Sequence, residues 1–329
     1  VLLDARDGYK LSIPAMGSLL EIRWIEEESK DIEALRDELA ALTDRWVEVL
    51  SDYQQESEVN RFCSDADDGE WHSPSESLWR MLMECDRWHR WSEGAFDASL
   101  GALTRLRRSK REGSPKEWEQ ARANCGWDTI EWDLTNRRLR FHRSGLRFDF
   151  GAIGKGFVAD RLDEQLIDFG IERFVVNASG NMRVGVRPTE DVVGWPIAIG
   201  LVDQPDQNLC ALRLHGCGIA TSGDQFQKFR DGASGDNIDS STDDKPKGSI
   251  AKDRGTAKDS GTAKDSTAKS SHIIDPARRL GLRQSQMATV VTRLASDADA
   301  FATACCVHME RGSIRGWLDR VDQIGRAHV

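Results

Sequence analysis

The sequence predicts an α+β fold, with mixed or mainly antiparallel sheets flanked by helices. Strand-like apolar runs arrive in groups instead of alternating strictly with helices, and several segments carry apolar residues at the 3-4 spacing of amphipathic helices. Of the 329 residues, 39% are hydrophobic and 11 are tryptophan, which is enough to bury a sizeable core. Residues 11–24, with Ile13, Leu19, Leu20, Ile22 and Trp24 around Gly17, read as a pair of short strands. Residues 31–50 place Ile32, Leu35, Leu39, Leu42, Trp46 and Leu50 on one helical face. Residues 75–92, opened by Ser73-Pro74, do the same with Leu78, Met81, Leu82, Cys85 and Trp88. Two strands, 129–132 and 139–141, are expected around a turn near Asn136, and a Gly-rich turn then introduces a helix over 155–169. A strand at 174–177 runs into the polar turn Asn177-Ala178-Ser179-Gly180-Asn181. Further strands are expected at 196–202, 210–214 and 287–293, and a final strong helix over 296–310.

The formal net charge of −10 argues against nucleic acid as a partner, because a polyanion would be repelled. The seven cysteines show neither the CxxC spacing of a zinc site nor a dense disulfide framework, and most are expected to be buried thiols. Residues 231–271 are small, polar and charged, with the near-repeat Thr256-Ala257-Lys258-Asp259-Ser260 and Thr262-Ala263-Lys264-Asp265-Ser266. Such a stretch cannot offset the entropy of ordering, so it is expected to be a disordered low-complexity loop inserted into one domain spanning 1–323. The closing residues Ile324-Gly325-Arg326-Ala327-His328-Val329 match what a common sequencing adapter encodes, so they are read as a non-native tail with the native C-terminus missing. On that reading, residues 311–323 should leave an unpaired sheet edge.

Four groups of segments carry the chemistry. The first holds Met16-Gly17-Ser18, Ser51-Asp52-Tyr53, Ser57-Glu58-Val59-Asn60-Arg61 and Gly94-Ala95-Phe96-Asp97. The second is Asp149-Phe150-Gly151-Ala152-Ile153-Gly154-Lys155-Gly156-Phe157-Val158-Ala159-Asp160. The third is Ala220-Thr221-Ser222-Gly223-Asp224 followed by His272-Ile273-Ile274-Asp275-Pro276, and the fourth is Ala298-Asp299-Ala300-Phe301-Ala302-Thr303-Ala304. In this order and spacing they resemble the FAD:protein FMN transferase family, the ApbE-like flavin transferases, over nearly the whole chain.

Asp299 and Thr303 stand at i and i+4, so a helix presents carboxylate and hydroxyl on one face. An all-oxygen pair suits magnesium, while the spacing alone favours the plainer reading of a helix N-terminal Asp beside a Thr packed in the core. The resemblance favours the metal and adds the Ala152 carbonyl as a third ligand. Asp297 reads as a favourable charge at the helix N-terminus. The glycines of 151–156 let a phosphate or flavin approach the backbone, with Lys155 as a point charge at a helix N-terminus.

The resemblance implies that Met16, Tyr53, Ala95, Phe96, Asp97, Asp149, Lys155 and Ile274 bind FAD. Tyr53 and Phe96 would offer stacking surface, with core packing as the plainer alternative. His272 and Asp299 are the implied catalytic residues, His272 either orienting phosphate or assisting deprotonation of an incoming hydroxyl. The chain departs from the family pattern at Ser179 and Asn181, where N-x-G-G-D is usual, at Cys63, and at Ala277-Arg278 after Pro276.

Taken together, the resemblance implies an ApbE-like fold and a magnesium-dependent transfer of the FMN half of FAD to a Ser or Thr hydroxyl of a target flavoprotein, releasing AMP. It also implies a bacterial, exported or periplasmic setting, or membrane anchoring through a segment preceding Val1. Two alternatives stay open: a pyrophosphatase cutting FAD to FMN and AMP, and a non-catalytic flavin-binding module.

Overall fold

The computed structural model describes residues 8–25, 31–109, 113–186, 193–200, 208–223, 228–230, 269–284 and 286–327. The elements in chain order are β1 (Tyr9–Ala15), β2 (Ser18–Ile25), α1 (Ile32–Leu50), α2 (Glu58–Asp65), α3 (Glu76–Trp91), α4 (Gly101–Arg108) and α5 (Pro115–Ala123). Then come β3 (Ile130–Asp133), β4 (Arg138–Phe141), α6 (Gly154–Asp168), β5 (Arg173–Ala178), β6 (Asn181–Val184), β7 (Trp195–Gly200), β8 (Asn208–Leu214) and β9 (Cys217–Gly223). The chain closes with β10 (Lys228–Arg230), β11 (Lys269–Ser271), β12 (Ile274–Asp275), β13 (Leu280–Gly281), β14 (Met287–Thr292), α7 (Ala295–Arg311) and α8 (Ile314–Ala327).

A six-stranded sheet in the order β1-β2-β5-β6-β9-β14 forms the centre, and every neighbouring pair in it is antiparallel. Its two faces are covered differently. Leu20, Ile22, Trp24, Phe174 and Val176 point into the main core with α1, α3, α6 and α7, as strand alternation requires. Val175, Met182, Val184 and Ile219 point the other way and pack on Trp195 and Ile197 of the β7–β8 hairpin. Burial on both faces explains why β5 reads as a continuous apolar run.

The strand pairs expected at 11–24 and at 129–141 are present, as are the helices expected over 31–50, 75–92, 155–169 and 296–310. Two expectations are corrected. Residues 311–323 are no sheet edge: α8 runs over Ile314–Ala327, with Trp317 fully buried and its indole N–H donating to the Trp91 carbonyl at 2.9 Å. The expected insertion is shorter at its far end, because Lys269–Ser271 pairs with Lys228–Arg230 as an antiparallel ribbon. Residues 231–268 lie outside the described residues.

Candidate active site

The site is organised by the crossing of α6 over the start of α7. Two glycines permit it: a Cβ on Gly156 would run into the Ala295 carbonyl oxygen, and one on Gly218 of β9 into the Leu294–Ala295 backbone. No side chain of its own caps α7 at Leu294. Asp160 of α6 caps it instead, accepting from Ala295 N at 2.8 Å, Ser296 N at 2.9 Å and Ser296 Oγ at 2.7 Å. Burial pushes the Asp160 carboxyl up to about 6, against those hydrogen bonds.

Asp299 lies one turn further along α7, only 3% exposed. Its Oδ2 accepts from Gly156 N at 3.2 Å, and among the described residues its Oδ1 has no hydrogen-bond donor. Burial raises the Asp299 carboxyl above its ordinary range, and nearby Lys155 pulls it back. Thr303 follows at i+4, and its Oγ1 lies 3.0 Å from Ser222 Oγ at the end of β9. The Thr221-Ser222-Gly223 element and α7 therefore meet in space.

The pair and its neighbour Ser222 offer a carboxylate with one oxygen unbonded among the described residues and two hydroxyls, tied to α6 through the Gly156 amide. These are hard oxygen donors, and a desolvated carboxylate short of donors is stabilised by a cation, so the residues fit magnesium better than a soft metal.

Lys155, in the first turn of α6, donates to the Gly151 carbonyl at 3.1 Å. Gly151 N in turn donates to Asp149 Oδ1 at 2.7 Å, so the Gly-rich turn ties Lys155 to Asp149. Met16, at φ 52° in the β1–β2 turn, lines a crevice with Lys155 and Ser179. Asp149 Oδ2 lies 3.6 Å from the Arg108 guanidinium, which also pairs with Asp52 and stacks over the Tyr53 ring at 4.3 Å. Tyr53 itself is 70% exposed, as a stacking surface requires.

Other expected residues sit differently. Phe96 is 2% exposed in the main core, so its ring is not offered to a ligand, and Ala95 is equally buried. Asp97 accepts from Ser99 N at 2.7 Å and Ser99 Oγ at 2.6 Å, shaping the turn that brings the Ala98 carbonyl to Asp149 N. Ile274 packs with Leu100, Leu103, Trp118 and Cys125 in a satellite core. His272 is exposed, and its neighbour Ser271 is held by Arg107, whose buried guanidinium donates to the Ser271 carbonyl at 2.8 Å. Asp297 is more than a helix-terminal charge, because it accepts from Arg87 and from Trp88 Nε1 at 2.9 Å.

The departures have structural readings too. Ser179 holds φ 57° and Gly180 φ 91°, the two left-handed positions of a two-residue hairpin, where glycine costs less than serine. Asn181 is 4% exposed. Cys63 is buried, and burial pushes its thiol up to about 11, which makes it inert.

Sequence reasoning missed Asp160 as the cap of α7, and the three arginines of α4. The last residue of the Gly-rich segment was visible, yet its partner lies 135 positions away.

The ApbE family model matches residues 16–246. The chain is 27% identical over 231 residues to the FAD:protein FMN transferase of Chlamydia muridarum, covering 68% of each chain. To that of Chlamydia trachomatis serovar D it is 24% identical over 329 residues, covering 95% of this chain and 87% of the relative. Among solved structures it superposes on the flavin transferase ApbE from Vibrio cholerae with a TM-score of 0.71 and 25% identity, over 92% of this chain and 87% of that one. The ApbE protein from Thermotoga maritima gives a TM-score of 0.75 at 20% identity over 97% and 92%, a likeness of fold.

Proposed function

This chain belongs to the ApbE family, and from that premise we propose that it is an FAD:protein FMN transferase, moving the FMN half of FAD to a Ser or Thr hydroxyl of a target flavoprotein. The observation that carries the proposal is Asp299: a buried carboxylate with a free oxygen, beside Lys155 and one turn before Thr303, in the family's own sequence element.

Magnesium, held by the Asp299 carboxylate, the Thr303 hydroxyl and the Ala152 carbonyl, would neutralise pyrophosphate charge and make the phosphorus of the FMN half more electrophilic. Lys155 and the N-terminus of α6 supply further positive potential for the pyrophosphate. The acceptor hydroxyl attacks that phosphorus, the pyrophosphate bridge breaks, and AMP leaves with the bridging oxygen. His272, exposed between the buried residues Ser271 and Ile273 and pinned through Ser271, orients the phosphate or takes the hydroxyl proton. Tyr53 offers its ring to a heteroaromatic face of FAD.

Among the described residues no helix is long and apolar enough to cross a membrane. An exported setting, with the target at the membrane, belongs to the proposal through the family resemblance.

Incubation with FAD and magnesium, with and without a flavoprotein carrying an acceptor Ser or Thr, tests this by mass spectrometry. Covalent FMN on the target is the expected product. Free FMN and AMP irrespective of target would make the protein a pyrophosphatase, and unchanged FAD would make it a binding module.

A further inference from the structure

Tyr53 sits in the loop between α1 and α2, where an exposed ring would ordinarily sample several rotamers. Here the loop is tied down from two helices. Asn60 of α2 donates to the Ser51 carbonyl at 3.3 Å and the Gln54 carbonyl at 2.6 Å. Arg105 of α4 donates to the Asp52 carbonyl at 3.3 Å and to Asn60 Oδ1 at 2.6 Å. Arg108, the last residue of α4, finishes the arrangement. Its fork reaches Asp52 with one nitrogen and Asp149 with another, and its plane covers one face of the Tyr53 ring. Both carboxylates are largely shielded, with side chains 10% and 12% exposed, so the guanidinium is held from two sides.

A cation stacked on one face leaves the other face of a 70% exposed ring open. From Arg108 the connection runs through Asp149 and Gly151 to Lys155, which neighbours Asp299. The open ring face and the proposed pyrophosphate site are thus joined by one continuous chain of contacts.

We propose that Arg108 is a positioning residue: clamped between Asp52 and Asp149, it fixes the Tyr53 ring as a platform on which a planar heteroaromatic ring of the nucleotide substrate stacks. The inference rests on the function proposed above and adds to it a residue outside the four groups of sequence elements. Lysine cannot replace it, since an ammonium has no plane to lay on the ring and no fork to engage two carboxylates.

The test uses the full chain with magnesium. Binding of FAD and FMN is followed by flavin fluorescence and binding of AMP by competition, for wild type, Arg108→Ala, Arg108→Lys, Arg108→Met, Tyr53→Ala and the Arg108→Ala/Tyr53→Ala double variant. Arg108→Ala and Arg108→Lys should each weaken FAD binding roughly tenfold, the scale of a lost stacking contact, and should raise KM for FAD more than they lower kcat. On the Tyr53→Ala background, Arg108→Ala should add nothing. Whether FMN or AMP loses affinity in parallel identifies the stacked ring.

Wild-type affinity in Arg108→Ala, full rescue by Arg108→Lys, or losses that multiply in the double variant would each overturn the inference. So would a defect confined to a misfolded Arg108→Ala while a folded Arg108→Met binds like wild type. Wild type that binds FAD but transfers nothing defeats the proposed function and leaves this inference to be judged by the binding data. Wild type that binds no FAD defeats both.

Discussion

Asp160 and Asp299 are both stripped of water at the same helix crossing, yet they are used in opposite ways. Asp160 receives three hydrogen bonds from the first turn of α7, and its charge is spent on closing a helix end that has no local cap. Asp299, less than two turns away on the facing helix, receives a single backbone N–H, and its other oxygen takes no hydrogen bond from the described residues. A buried carboxylate with all its partners is part of the frame. One left short of donors costs stability, and that cost makes sense where a ligand completes the set.

The largest effect that would sharpen this contrast is Asp299→Asn. It keeps the shape and removes the charge that holds a hard cation, so turnover should fall roughly 10³-fold and magnesium-dependent FAD binding should weaken. In metal-free buffer the melting temperature should rise by roughly 2–4 °C, because a desolvated charge has gone. The sign of this stability change follows from burial, since Asp299 is only 3% exposed and its charge is desolvated in the folded chain. Calorimetry beside a turnover assay decides the matter, and full activity with lower stability would place Asp299 in the frame with Asp160.

Gly156→Ala attacks the crossing that both carboxylates depend on. The added methyl group meets backbone, which cannot move aside as a side chain can. A loss of about 3 kcal/mol is expected in denaturant unfolding, together with loss of FAD binding. A variant as stable as wild type would show that the helices can separate freely and that the site does not rely on their close approach.

How much of this was legible in advance depended on how local each signal was. The apolar spacing of α1, α3 and α7 and the two strand pairs depend on near neighbours, and they were read within a residue or two of their observed limits. Short helices were not read. In α4, Leu103 is the lone large apolar residue fully buried, and its three arginines earn their places through Asp52, Asp149 and Ser271, all distant in sequence. In α5 a local signal existed, the Ser114/Glu117 capping box with Pro115 at the first turn, and it was overlooked. The site followed the same rule. Asp299 with Thr303 and the Lys155 turn were visible as short spacings, whereas the burial of Phe96 and Ile274 is set by packing that no spacing encodes.

Asp160 can be tested by pH as well as by truncation. Its folded value of about 6 lies above the ordinary 3.8, so the folded protein holds a proton that the unfolded chain has released in between. The stabilising share of this group is whole below about pH 4 and is lost as pH rises through about 6, an amount on the order of 3 kcal/mol. Asp52, also raised to about 6 by burial and by Asp149, contributes to the same slope, so the comparison must be with wild type. Asp160→Asn should flatten the stability profile between about pH 4 and 6. Asp160→Ala should cost about 2 kcal/mol by leaving the α7 amides unpaired. An unchanged profile in Asp160→Asn would assign the slope to Asp52.

Asp297 supplies the smallest effect and the closest control, since it stands two residues before Asp299 on the same helix. As a plain helix-terminal charge it should matter by only a few tenths of a kcal/mol. The structure raises that expectation, because Asp297 joins Arg87 and the Trp88 indole from α3, with its side chain 19% exposed and that of Arg87 27% exposed. A partly shielded pair of this kind is worth about 1 kcal/mol, less any screening by salt. Asp297→Asn should therefore lower stability by about 1 kcal/mol, a loss that shrinks as ionic strength rises, while magnesium-dependent turnover stays within about twofold of wild type. The turnover assay carries the weight. If Asp297→Asn abolished magnesium dependence while Asp299→Asn retained it, the metal would belong on a different face of α7, and the contrast between a satisfied and an unsatisfied aspartate would lose its functional meaning.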